Sequence, residues 1–97
     1  MRIVRWTRRA RADLKSVREF IADDSAHYAE VVTRRLVLAA EVLQEFPEIG
    51  RLVPEFERPD TREIIVRPYR VVYRLVDPNE VHILTVHHSA RLLRGPL

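Results

Sequence analysis

The sequence predicts a single α+β domain over residues 1–97, in the order β-α-α-β-β-β, with an antiparallel helical hairpin packed on a small antiparallel sheet. Three observations predict this fold. Two segments of the first half carry apolar residues at helical spacing. The second half contains three short runs rich in β-branched and aromatic residues. A length of 97 residues is enough for one modest hydrophobic core but not for two.

The first half starts with a short strand and continues as a helix. Residues 3–6 are β-branched and aromatic, which favours a strand. Thr7 is a suitable N-cap residue, and residues 8 to about 22 form an amphipathic helix. Its apolar residues recur at intervals of three and four, which places them on one helical face; they are Ala10, Leu14, Val17 and Ile21.

A second, longer helix follows after a short turn. Ser25 or Asp24 can cap its first turn, and its apolar residues keep a helical rhythm as far as Phe46. Pro47 lacks a backbone donor and crowds the preceding turn, so the helix is expected to end there. Because so short a turn leaves little room between the helices, they are expected to pack antiparallel.

The second half predicts a loop and then an antiparallel meander. Three prolines and a glycine make residues 47–61 a loop. The strands are expected at residues 62–67, 69–76 and 81–88. Side chains alternate along a strand, so Tyr69, Val71 and Tyr73 share one face of the middle strand and Arg70 and Arg74 the other. The apolar face is expected to pack under the helices and the other face to remain partly open.

Composition excludes several classes of function. The chain has no cysteine, so it has no disulfide, thiolate metal site or cysteine nucleophile. No apolar run approaches the roughly 20 residues that span a bilayer, and the start lacks a signal peptide's apolar segment. The expected location is therefore the cytoplasm, without a membrane partner. Neither glycine-rich phosphate loops nor paired catalytic carboxylates are evident, and no cofactor is expected.

The candidate catalytic residues lie on the arginine-bearing face and at the end of the last strand. They are Arg70, His87, His88 and Arg91. If neighbouring strands bring Arg70 beside a histidine, the pair could stabilise a phosphorane-like transition state and transfer a proton, as ribonucleases require. The alternative is that alternating arginines form a solvated face or pair with acids such as Glu63, and periodicity alone favours this alternative.

The histidines do not predict a metal site. His87 and His88 are adjacent, so in a strand their rings point to opposite faces and cannot hold one ion. His27 and His82 belong to unrelated elements. A histidine at a strand end can also be a hydrogen-bonded structural residue, and this reading stands beside the catalytic one.

Two further features suggest binding surfaces. A cationic strip recurs at helical spacing on the first helix; its members are Arg8, Arg11, Lys15 and Arg18. It is either a docking surface for an acidic partner or a water-facing side of the helix. The second helix has surplus apolar residues, namely Val31, Val37, Leu38 and Val42. They are either core or the lining of a groove for a partner's helix.

Several motifs, taken in order, resemble the RelE/ParE toxin superfamily over nearly the whole chain. The opening resembles the family's strand-end aromatic residue, alanine and Asp-Leu pair, here Trp6, Ala10, Asp13 and Leu14. Residues 46–51 resemble the proline and the Gly-Arg pair that follow the second helix in the family. The meander is the most specific part, with Arg62-Glu63, then Tyr69-Arg70-Val71-Val72-Tyr73, then residues 83–91 ending in His87-His88-Ser89-Ala90-Arg91.

The resemblance implies the toxin of a type II toxin–antitoxin system. One branch of the superfamily cleaves messenger RNA on the ribosome; the other, ParE, binds and inhibits DNA gyrase. In the nuclease branch a basic residue matching Arg70 contacts the scissile phosphate, and His88 aligns with a general acid of some members. Ser89 stands where those members place a tyrosine, and their lysine-rich strand is absent here.

These departures weaken the nuclease case, and the opening at residues 6–14, the Gly50-Arg51 loop and the ending at residues 86–91 look more like the ParE branch. The resemblance therefore favours a ParE-like inhibitor of gyrase, acting through protein binding rather than as an enzyme. The alternative is a ribosome-dependent RNA endonuclease that uses Arg70 and His88. A third possibility is a member that has lost its toxicity. Family membership also implies a cognate antitoxin, encoded adjacently, whose tail folds on the toxin and forms a hetero-oligomer with it. The residues expected to bind the antitoxin or target are the cationic strip together with Arg51 and Arg74.

Overall fold

The structure, a computed structural model that describes residues 1–97, has the predicted α+β architecture of a helical hairpin on one face of a sheet. Its elements, in chain order, are β1 (Ile3–Trp6), α1 (Arg8–Ala22), α2 (Ala26–Glu41), β2 (Arg51–Leu52), β3 (Thr61–Val66), β4 (Tyr69–Asp77) and β5 (Glu80–His88). The predicted order is confirmed, apart from the two-residue β2 within the segment expected to be loop.

The sheet is mixed rather than wholly antiparallel. Its strand order is β1-β5-β4-β3-β2. β1 runs parallel to β5, with Val4 opposite Val81, while the other neighbouring strands are antiparallel. The helical hairpin carries the chain across the sheet, and this long connection makes the parallel pairing possible. Strand-by-strand patterns do not reveal which neighbour a first strand will choose, so the sequence did not predict this pairing.

Both helices begin at predicted capping residues. The Thr7 hydroxyl accepts a hydrogen bond from the Ala10 N–H at 3.2 Å, and the Ser25 hydroxyl accepts one from the Tyr28 N–H at 3.1 Å. Each bond satisfies a donor that the first helical turn leaves free. α2 ends earlier than predicted, because a 3-10 turn at Val42–Gln44 tightens the chain before Pro47. Neither helix combines the length and apolar character needed to cross a membrane.

The main core lies between the helices and the predicted apolar face of the sheet. Its buried residues come from α1, α2, the 3-10 turn and the two central strands; they are Ala10, Val32, Leu36, Ala40, Leu43, Tyr69, Val71, Tyr73, Val81, Ile83 and Val86. The alternation predicted for β4 is therefore confirmed on this face.

The opposite face of the sheet is covered, which contradicts the expectation of an open face. The residues after β2 and the C-terminal segment, which we define as residues 89–97, pack across it. Val72 and Leu84 of the sheet form a second buried cluster with Val53 and Leu93. The segments that cover this face have no regular secondary structure, so the periodicity of the sequence could not predict them.

Tyr73 fixes the loop between α2 and β2. Its buried hydroxyl donates a hydrogen bond to the Pro47 carbonyl at 2.7 Å and accepts one from the Gly50 N–H at 3.0 Å. Gly50 is required by close packing, because a Cβ atom there would lie 2.6 Å from the Glu63 carbonyl oxygen. Burial raises the pKa of the Tyr73 hydroxyl, so the group remains a neutral donor.

Candidate functional site

Arg70 lies at the centre of a buried network of ion pairs. Its Nε donates to Glu63 Oε1 at 2.6 Å. Its Nη2 and Nη1 donate to the two carboxylate oxygens of Glu55 at 2.6 and 2.7 Å. The Glu55 carboxylate also accepts the Leu93 N–H at 2.8 Å. Arg70 therefore joins β3, β4, the segment after β2 and the C-terminal segment.

The network leaves Arg70 little capacity for another anion. Its side chain is 5% exposed, and its Nη1 also faces the Arg91 carbonyl at 3.4 Å. The hydrogen bond from Arg70 lowers the pKa of Glu55 to about 2, and the same bond raises the pKa of Arg70. The expected outward projection of Arg70 is wrong. The alternative, that it pairs with Glu63, is confirmed.

The two other arginines expected to bind a partner also have acidic neighbours. Arg51 Nε lies 2.6 Å from Glu63 Oε2, and its side chain is 59% exposed. Arg74 Nε donates to the Thr61 hydroxyl at 3.2 Å and lies 3.8 Å from Asp60 Oδ2. The side chain of Arg51 is thus still accessible to a partner, whereas the side chain of Arg74 is mostly occupied by contacts within the protein.

The two adjacent histidines occupy opposite sides of the end of β5, as alternation predicts. His87 lies opposite Arg70 in the strand register, and its Nε2 is 3.1 Å from the Arg91 carbonyl. His88 packs edge-on against Tyr69 on the helical side, with ring centroids 5.7 Å apart. His87 is thus the histidine that the strand register places next to Arg70, and a joint catalytic role of the two residues stays a prediction. Arg70 and His88 do not converge on one site.

A cleft opens where α1 meets the end of β5, and we call it the α1–β5 cleft. Its volume is about 440 Å³. Three predicted site residues line it, namely His87, His88 and Arg91; the other lining residues are Asp13, Ser16, Val17, Phe20, Tyr69 and Val86. A guanidinium group, a carboxylate, two imidazoles, hydroxyls and aromatic rings thus share one concave surface. In the whole structure, no cluster of three or more histidine or carboxylate side chains could hold a metal ion.

The cationic strip of α1 faces solvent. All four members are exposed, and Lys15 alone has an acidic neighbour, Glu19, at 3.9 Å. A contact of this length between exposed side chains contributes little to stability. The strip is therefore free for a partner, and its role as a binding surface stays a prediction.

Part of the surplus apolar surface of α2 lines a second depression, which we call the α2–β3 groove. Its volume is about 700 Å³, and its lining residues are Arg35, Leu38, Ala39, Val42, Ile65, Val66 and Arg67. Leu38 and Val42 are 49% and 42% exposed, so they are not core. β2 pairs with β3 only at Arg62 and Glu63, which leaves the edge of that strand at residues 64–66 without a strand partner. Of the two interpretations, the structure therefore favours a groove.

Sequence reasoning identified Glu63 but assigned no role in these sites to two other acidic residues, Glu55 and Asp13. Glu55 lies in a proline-rich loop and carries no periodic signal. Asp13 was noted only as part of the family-like opening. Its Oδ2 accepts hydrogen bonds from the Thr85 hydroxyl and from the Val86 N–H at 3.1 Å. Phe20 was not singled out, although its 75% exposure is unusual for an aromatic ring; its place beside the apolar stripe of α1 was the only available signal.

The architecture defines a class of small α+β proteins, those with a helical hairpin on one face of a five-stranded mixed sheet. Comparison with known proteins agrees with this class. The family model described as ParE toxin of type II toxin-antitoxin system, parDE, matches residues 4–93. The chain is 40% identical over 87 residues to Toxin RelE2 of Caulobacter vibrioides, a match that covers 90% of this chain and 94% of that protein.

A solved structure shares the fold. A chain described as the chromosomal ParDE TA system from P. aeruginosa superposes with a TM-score of 0.74 at 24% identity, covering 91% of this chain and 96% of that one. The present chain belongs to the ParE toxin family of type II toxin–antitoxin systems, within the RelE/ParE superfamily.

Proposed function

We propose that the chain is a toxin that inhibits DNA gyrase by protein–protein binding in the cytoplasm and is neutralised by a cognate antitoxin. The observation that carries this proposal is the state of Arg70. A phosphate-binding arginine needs free N–H donors, yet Arg70 is buried between two carboxylates. The family model matched by residues 4–93 is that of ParE toxins, which supports the same choice.

The test is a direct assay of gyrase with the purified toxin. We expect loss of supercoiling and accumulation of cleaved DNA at micromolar toxin, with both effects reversed by the antitoxin. A toxin denatured and not refolded serves as the control. Unaffected supercoiling and cleavage at micromolar concentrations of folded toxin would refute gyrase inhibition.

A ribosome-dependent RNA endonuclease remains the second candidate because His87, His88 and Arg91 line one cleft. A histidine can transfer the proton and an arginine can stabilise the charge of the transition state. The test is messenger RNA cleavage in a translating extract. Cleavage that is lost in both His88→Ala and Arg91→Ala variants, with the fold intact, would establish this candidate, and undamaged transcripts would exclude it.

For the antitoxin, we propose the α2–β3 groove as the docking surface. Its apolar floor suits the apolar face of a folding peptide, and Arg35 and Arg67 at its rim suit acidic side chains. Two copies of the toxin would bring these arginines together, so charge favours an acidic partner over self-association. The complex of toxin and antitoxin is then a hetero-oligomer.

A pair of matched substitutions tests this docking surface. Leu38→Glu places a charge in the groove, and we expect it to weaken antitoxin binding at least tenfold in calorimetry, because the acidic partner loses an apolar contact and meets a like charge. Leu92→Glu makes the same change at a leucine that is 75% exposed and lies outside the groove, so it should bind normally. Equal binding by both variants would exclude the groove.

A further inference from the structure

We propose that the toxin forms a symmetric dimer through a patch made by the start of the chain and the turn after α2, which we call the Phe46 patch. The patch consists of Arg2 and residues 45–49, which line one depression. None of these residues lines the α2–β3 groove, so the dimer and the proposed antitoxin site use separate surfaces. The inference does not depend on gyrase being the target, because it concerns contact between two copies of the toxin.

The centre of the Phe46 patch is apolar and exposed. Phe46 and Ile49 are 59% and 60% exposed, while Pro47 between them is buried. Removing large apolar side chains from water is favourable, and contiguous exposed apolar surface on a soluble protein commonly marks an interaction site. Two copies that pack these side chains against each other would cover them in both protomers.

The backbone beneath the patch is fixed from two sides. The Arg2 N–H donates to the Gln44 carbonyl at 2.9 Å, which holds the start of the chain against the turn after α2. The Pro47 carbonyl accepts the buried Tyr73 hydroxyl at 2.7 Å. The patch is therefore a preformed surface, and such a surface loses little conformational entropy when a partner binds.

The charged groups of the patch carry both signs and have no ionic partner within the protein. Glu45 and Glu48 are exposed, and neither belongs to any ion pair of the structure. Arg2 is also without an ion pair, and its Nε is buried with no hydrogen-bond partner. Because a two-fold dimer places the same surface against itself, Arg2 of each protomer can meet a carboxylate of the other.

This mixture of charges favours a second copy over other partners. An acidic antitoxin segment would meet like charges at Glu45 and Glu48, and a basic segment would meet a like charge at Arg2. Only a surface that itself carries both signs avoids both conflicts. The six residues of the patch are far fewer than the about 20–30 residues on each side of a standard interface. The dimer is therefore expected to be weak and to form at micromolar concentrations.

The experiment is sedimentation of the purified, full-length toxin from low micromolar to millimolar concentration. We expect a monomer at the lowest concentrations and a dimer as the concentration rises. Phe46→Glu should weaken dimerisation at least tenfold, because it brings like charges together at the two-fold axis. Phe20→Glu is the matched control, since it makes the same change at a phenylalanine that is 75% exposed and lies outside the patch. Circular dichroism verifies that both variants are folded.

Charge reversal tests the two-fold arrangement itself. Arg2→Glu makes the patch wholly acidic, and the double variant Glu45→Arg/Glu48→Arg makes it wholly basic. Neither variant should dimerise alone, whereas an equimolar mixture should form heterodimers, because each patch then faces opposite charges.

Three results would overturn the proposal. They are a wild-type toxin that stays monomeric at millimolar concentration, equal dimerisation of Phe46→Glu and Phe20→Glu, and a mixture of the charge-reversed variants that stays monomeric. Loss of antitoxin binding or of gyrase inhibition in Phe46→Glu with unchanged dimerisation would assign the patch to that partner instead.

Discussion

Removal of Arg70 should destabilise this protein severely, whatever its effect on toxicity. In an Arg70→Ala variant the carboxylate of Glu55, which is 15% exposed, loses its ion-pair partner, and the buried carboxylate of Glu63 keeps only the half-exposed Arg51. Breaking a buried ion pair from one side typically costs about 3–5 kcal/mol. For a domain of this size such a loss lowers the melting temperature by more than about 12 °C. The C-terminal segment should also loosen, because Glu55 holds the Leu93 N–H.

Thermal and urea unfolding, followed by circular dichroism, measure this effect. Arg58→Ala is the matched control, because Arg58 also makes two hydrogen bonds to one carboxylate but at a surface where its side chain is 52% exposed. That change should cost little stability, because solvent screens an ion pair between exposed side chains. Adding Glu55→Gln to Arg70→Ala should recover part of the loss, since one uncompensated charge disappears. The reasoning fails if the free energies of unfolding of Arg70→Ala and Arg58→Ala differ by less than about 0.5 kcal/mol.

This prediction affects how toxicity data are interpreted. An Arg70→Ala variant that no longer arrests growth would be expected from any mechanism, because a destabilised toxin accumulates poorly in the cell. Abundance and melting temperature therefore have to be measured beside growth. His88→Ala is more informative for catalysis, because His88 is exposed.

Three further changes test separate parts of the structure. The pKa of Glu55 is lowered from 4.5 to about 2. Its ionised form therefore contributes about 3 kcal/mol to the free energy of unfolding, a contribution that is present above pH 4.5 and lost as the pH falls through about 2. In Glu55→Gln the free energy of unfolding from urea titrations should fall less steeply over this acidic range. Tyr73→Phe should cost about 1–3 kcal/mol by leaving the Gly50 N–H unpaired, and an unchanged urea midpoint would contradict the role of the hydroxyl. Leu93→Ala should cost about 2–5 kcal/mol and Leu92→Ala almost nothing, whereas equal melting temperatures would mean that the C-terminal segment does not pack on the sheet.

Local patterns predicted the elements well because their physical causes are local. The spacing of apolar residues in α1 and the cap at Thr7 depend on neighbours within a few positions, so the helix bounds agree with the structure. The alternation in β4 likewise identified which side chains face the helices. The pairing of strands was harder to predict. β1 lies beside β5, and no local pattern in either strand indicates this partner.

The candidate sites were predicted in part. The sequence identified Arg70 and the residues near the end of β5 as special, but alternation assigns a side chain to a face without revealing what covers that face. Glu55 is a distant loop residue, and its contact with Arg70 across 15 positions depends on the path of an irregular segment. The exposed apolar residues of α2 could be assigned to a groove only from the structure, which shows that the narrow sheet does not cover them.

The parallel pairing of β1 with β5 has a consequence for synthesis of the toxin on the ribosome. The strand that is made last is an interior strand of the sheet, and it separates β1 from the rest. A nascent chain that lacks β5 therefore has two unjoined pieces of sheet and an unfilled core. β1 can join the sheet only after residues 80–88 have been made, so fragments released before that point are expected not to reach the native fold.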